Sequence, residues 1–172
     1  MKSTLLILCC AGLAAAQAPD FKTAASGAQS YYAQIKNNII RSADKMPEDA
    51  YGFKPTPEVR SFGQLVGHVA DASYTFCSAA SGGKNPSTGI EKSKTTKADL
   101  AAAVKDAFAY CDKVYASLTD ASGAEMVKFF GGERTRLNVL EFNLMHDWEH
   151  YGNMVTYMRL KGVVPPSSEP RR

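Results

Sequence analysis

Long apolar runs are almost missing from this 172-residue chain. The one present, Leu5 to Ala16, is too short to span a bilayer as a stable helix, so no stable membrane anchor is expected. A dominant charge sign is also lacking: 20 Lys and Arg face 17 Asp and Glu, and the basic residues are scattered. Nothing therefore reads as a nucleic-acid footprint. No repeat, coiled-coil array or low-complexity tract appears, and the length suits a single core. Histidine is scarce at three residues, so any imidazole chemistry must come from His68, His146 and His150.

The N-terminus has the layout of a secretion signal. Lys2 supplies a positive start, the apolar run follows, and Ala14-Ala15-Ala16 offers a small-residue cleavage site. The expectation is a signal peptide over residues 1–16, one domain over 17–172, and a secreted or periplasmic mature protein. Cys9 and Cys10 do not suit a lipid anchor, because Leu8 stands before Cys9 and Cys9 before Cys10 where a small residue is expected. Cys77 and Cys111 remain after cleavage. Cys111 lies in the apolar stripe of its helix and Cys77 well off the stripe of its own, so the pair reads as two small core residues in preference to a disulfide.

Four helical patterns fill the rest. The first, about Ala28 to Lys45, carries Tyr32, Ile35, Ile39 and Ala43 three and four apart and ends before Pro47. An extended, proline-bearing connection leads to Ser61 and Gln64, a capping box that opens a helix running to Ser81-Gly82-Gly83. The Lys-, Ser- and Thr-rich segment to Thr95 reads as a solvated loop. A third helix, Thr96 to about Leu118, has a clean stripe of Leu100, Val104, Ala107, Cys111 and Val114. Asp120 to Gly132 reads as an irregular connection with room for a brief strand. The fourth helix, about Thr135 to Lys161, shows two opposed apolar stripes, one through Leu140, Leu144 and Tyr151 and one through Val139, Phe142 and Tyr157. The architecture expected is all-α, an antiparallel four-helix bundle with up-and-down connections. Two stripes also raise the expectation of a homodimer.

His146 and His150 stand one turn apart and project from one helix face, while His68 borders the apolar stripe of another helix. Three neutral imidazoles around one cation, with positions left open, suit a divalent transition metal, zinc or nickel first and iron next. Asn143 and Asn153 share the polar strip with the pair, and Asp71 lies three residues after His68. All three are candidates for groups that orient the ligands. Glu149, three after His146, is the candidate catalytic base toward bound water.

The segment Tyr51-Gly52-Phe53-Lys54-Pro55-Thr56-Pro57 through Ser61-Phe62 to His68, and the closing run His146-Asp147-Trp148-Glu149-His150-Tyr151-Gly152-Asn153, resemble the DinB superfamily of small four-helix-bundle metalloproteins. The resemblance covers nearly the whole mature chain. It implies a metal held by one His on the second helix and two on the fourth, carried over to His68, His146 and His150. A metal-dependent hydrolase acting on a small-molecule substrate is the expected function. The alternatives are a thiol-dependent S-transferase or isomerase, as in some relatives, and a non-catalytic metal-binding or structural protein.

Overall fold

The computed structural model describes residues 19–170, so the expected signal peptide lies outside the described residues. Four long helices carry the fold: α1 (Ala24–Lys45), α2 (Phe62–Ser81), α4 (Lys97–Ala116) and α6 (Arg136–Leu160). Two single-turn helices, α3 (Ile90–Ser93) and α5 (Asp120–Gly123), and a hairpin of β1 (Met126–Phe129) with β2 (Gly132–Thr135) sit in the connections. Each long helix starts on a hydroxyl that accepts from the backbone three residues on: Thr23, Ser61, Thr96 and Thr135. Gly82, in the left-handed region, stops α2.

α1 packs on α4 and α6, and α2 packs on the same two, so α1 and α2 occupy opposite corners. Their directions follow from side-chain contacts at the two ends. Lys97 at the start of α4 bonds the carbonyls of Asp44 and Met46 at the end of α1, so these two helices are antiparallel. Arg136 at the start of α6 bonds Ala80 O at the end of α2, and Tyr157 near the end of α6 bonds Arg60 O just before α2 begins. α2 and α6 are therefore antiparallel as well. α2 and α4, in contrast, run parallel, because the connection between them returns along α2 to the starting end.

That return path corrects the up-and-down connectivity expected, while the all-α four-helix bundle stands, and it has two consequences. The last turns of α2 and α4 come together, and Cys77 and Cys111, both fully buried, form a disulfide with Cα atoms 5.4 Å apart. This corrects the reading of two free core thiols. Cys77 sits off the α2 stripe because it faces α4, whereas the stripe is centred toward the bundle axis. The segment read as a solvated loop also contains α3, whose Ile90 is buried against α2.

The two opposed stripes of α6 are the edges of one face. Its buried residues, Val139, Leu140, Asn143, Leu144, Asp147, His150, Tyr151, Met154, Tyr157 and Met158, span an arc of about 140° at 100° per residue. Asn143 and Asp147, both fully buried, occupy the middle, and their polarity splits one apolar face into two in the sequence pattern. Most of both stripes is covered within one chain, and Phe142, at the edge of the second, stays partly exposed.

The hairpin pairs Phe129 with Gly132, leaving a two-residue turn of Phe130 and Gly131 with φ of 46° and 79°. Positive φ at both positions is the type I′ pattern, which favours Asn-Gly. Phe130 is the one non-glycine residue with positive φ among the described residues, and holding a bulky side chain there costs roughly 1–2 kcal/mol.

Candidate metal centre

The antiparallel packing of α2 against α6 sets His68 opposite His146 and His150. The three ring nitrogens that face inward are all Nε2: His68 to His146 is 3.2 Å and His150 to His146 is 3.1 Å. One ligand atom from each ring lies within 4.8 Å of the others. A tetrahedral ion with nitrogen ligands at about 2.0–2.1 Å requires nitrogen pairs about 3.3 Å apart, which the His68–His146 and His150–His146 pairs match.

Protonation supports the same fit. His68 Nδ1 lies 2.9 Å from Glu91 Oε2, so the ring proton resides on Nδ1 and leaves a bare lone pair on Nε2. His146 Nε2 faces two nitrogens and has at most one proton to share between them. A cation satisfies all three lone pairs, and no arrangement of neutral rings does. Burial, then His150, His68 and Arg60, push His146 down to about 3, and burial with His68 pushes His150 down to about 4. Both rings are thus neutral donors at ordinary pH. Their outer nitrogens, His146 Nδ1 and His150 Nδ1, are buried without a hydrogen-bond partner, so only His68 has its orientation fixed by a carboxylate.

Glu91 is the functional residue that sequence reasoning missed. It sits in a Lys- and Ser-rich stretch with no periodicity, and it reaches His68 because the α2–α4 connection folds back along α2. Its other oxygen accepts from Arg60 Nε at 2.9 Å. Burial pushes its carboxyl up, but Arg60 and His68 outweigh this and hold it below the usual carboxylate range. Asp71 accepts from the backbone N–H groups of Ile90 and Glu91 at 2.9 and 3.0 Å. It therefore acts on His68 at one remove, by seating α3.

The other candidates lie apart from the ligands. Asn143 is buried toward the core, where its Nδ2 donates to Asp147 Oδ2 at 3.1 Å and to Tyr115 Oη at 3.2 Å. Asn153 faces solvent at the outer edge of the strip. Neither is hydrogen-bonded to a ligand imidazole, because helical rotation carries one inward and the other outward. Glu149 is exposed beside His150, whose ring its charge stabilises in the protonated form.

The sequence model of the DinB superfamily matches residues 32–154, a span that contains all three histidines. The chain belongs to the DinB superfamily. An uncharacterized protein of Bacillus subtilis strain 168, YjoA, is 26% identical over 139 residues, covering 77% of this chain and 88% of that protein. Among solved structures, a DinB-like protein from Bacillus cereus ATCC 10987 is similar with a TM-score of 0.72 at 17% identity, over 81% of this chain and 94% of its own. The YjoA structure gives 0.68 at 23% identity, over 84% and 99%. A mycothiol-dependent maleylpyruvate isomerase gives 0.62 at 14% identity, over 76% of this chain and 60% of that one. The DinB-like protein expected from sequence is thus the fold observed.

Proposed function

We propose that this DinB-like protein is a secreted metal-dependent enzyme of hydrolase type, with His68, His146 and His150 holding one divalent transition ion. The observation that carries the reading is the convergence of three Nε2 atoms at 3.1 and 3.2 Å, with the His146 and His150 rings held neutral well below pH 7 by burial. Imidazole-only ligation suits zinc or nickel, with iron next, and the ion would supply a Lewis acid beside open positions for water and substrate. The chain's own groups then do the rest. Glu91 fixes the tautomer of His68, and Arg60, half-exposed and held by Glu91, places a positive charge near the rings. Glu149, exposed one position before His150, is the group available to take a proton from an incoming nucleophile. The Cys77–Cys111 disulfide supports an exported protein, since such bonds persist in oxidising compartments.

Thiol transfer is the second reading, favoured by the structural likeness to a mycothiol-dependent isomerase. Zinc- or nickel-loaded protein assayed against aryl esters and amides, and against an electrophile plus a low-molecular-weight thiol, separates the two. Ester or amide turnover that falls about a hundredfold in Glu149→Gln, with metal content kept, is the expected result. Turnover only with added thiol favours the transferase reading. No turnover with any class leaves a metal-binding protein without catalysis.

A further inference from the structure

Along the groove between α2 and α6 the three histidines have unlike neighbours at the two ends. Toward the start of α2 stand Arg60 and Glu91. Toward its end stand rings: Phe76 lies edge-on to His146 with centroids 5.3 Å apart, and Phe142, one turn before His146, packs edge-on to Phe76 at 5.2 Å. The hairpin tip closes this end, with Phe130 6.1 Å from Phe76 and 6.2 Å from Phe142.

Phe130 is out of place on local grounds. The I′ turn calls for Asn or Gly, yet a phenylalanine holds the strained position with 73% of its surface exposed. So exposed a ring recovers little by burial, and Phe129 already seals the hairpin onto α2 through Phe76 at 5.8 Å. Beside it lies an open depression of about 390 Å³ formed by the hairpin alone, lined by Lys128 and Glu133 as well as Phe129, Phe130 and the two glycines. With Lys128 and Glu133 in that lining and Glu141 exposed beside Phe142, charged groups border the two exposed rings, which suits a small ligand better than an extended protein partner.

We propose that Phe130 and Phe142 form an aromatic subsite beside the metal centre, which receives the aryl group of a small-molecule ligand whose polar end reaches the ion. The hairpin tip is then a specificity-determining element, and strain at Phe130 is retained because the ring serves the ligand. The proposal rests on the metal reading above, and the test keeps the two apart.

Zinc content is measured first, then the affinities of zinc-loaded protein for benzohydroxamic and acetohydroxamic acid, which share the chelating group and differ in the ring. The wild type is expected to bind the benzo compound about tenfold more tightly. Phe130→Asn, which suits the I′ turn, is expected to cut that ratio at least threefold, leaving acetohydroxamate affinity and zinc content unchanged and raising Tm. Phe130→Tyr keeps the ring and should keep the ratio. A protein that takes up no zinc sinks the metal reading and this one with it. Zinc and acetohydroxamate bound, with a ratio near one or unmoved by Phe130→Asn, overturns the aryl subsite alone. A lowered Tm in Phe130→Asn with an unchanged ratio assigns Phe130 to holding the hairpin, which also overturns it.

Discussion

A Cβ on Gly67 would lie 2.7 Å from Glu91 Cα and 3.0 Å from its nitrogen, closer than a side chain can approach backbone. Gly67 and Glu91 therefore belong to one device. The missing side chain lets α3 rest on α2, Asp71 bonds the backbone there, and Glu91 meets His68 one residue along from the glycine. Removing a carboxylate that orients a ligand imidazole typically weakens metal binding 10- to 100-fold. Glu91→Gln and Gly67→Ala are each expected to fall in that range in competition titrations against a zinc chelator, with helix content unchanged. Wild-type affinity in both would remove Glu91 from the site.

The disulfide closes a loop of 34 residues between the parallel helices. Chain-entropy arguments assign such a closure about 3–4 kcal/mol, so Cys77→Ala/Cys111→Ala should lose stability of that order in urea unfolding. Because the bond lies one layer from the histidines through α2, metal content should survive at temperatures well below the new midpoint. A variant as stable as the parent would mean that the two sulfurs are not joined.

Asp147 is fully buried with Oδ1 unpartnered, and burial pushes its carboxyl well above the usual range, offset only in part by Asn143. The unfolded chain ionises this group above about pH 4 while the native chain holds it neutral, so its contribution to stability is complete in acid and declines as pH rises. Asp147→Asn is expected to raise Tm at pH 7 and to change it little at pH 4. The histidines act in the opposite sense. With native values near 3 and 4 against 6.5 unfolded, metal-free protein should lose stability as pH falls from about 6.5 toward 4. His146→Gln/His150→Gln should flatten that loss, measured by thermal melts in chelator across the range. A fall in Tm for Asp147→Asn at pH 7 would show that the carboxylate holds a partner as an anion.

What could be read in the sequence was local. Ser61 with Gln64, Gly82, Pro47 and the His146–His150 spacing each act within a few residues, and each stands where expected. What could not be read depends on the crossover between α2 and α4. Glu91 becomes a partner of His68, and Cys77 of Cys111, only because that segment runs back along α2 and makes the two helices parallel. No periodicity in a stretch rich in Lys, Ser and Thr records such a path. The face of α6 was obscured for a different reason: Asn143 and Asp147 lie at its buried centre, where a hydrophobic pattern registers a gap. Phe130 falls in a segment without periodicity, and only the paired strands reveal it as a strained turn residue.

Three imidazoles from two antiparallel helices converge on a point where one ion could sit. Metal analysis of protein purified without a histidine tag, with chelator competition on the parent and on His68→Ala, His146→Ala and His150→Ala, tests that occupancy most directly. The parent is expected to hold one equivalent of a divalent transition metal per chain, lost or weakened at least a hundredfold in each variant and raising Tm only in the parent. His68→Ala that retains wild-type metal content and affinity would contradict that expectation.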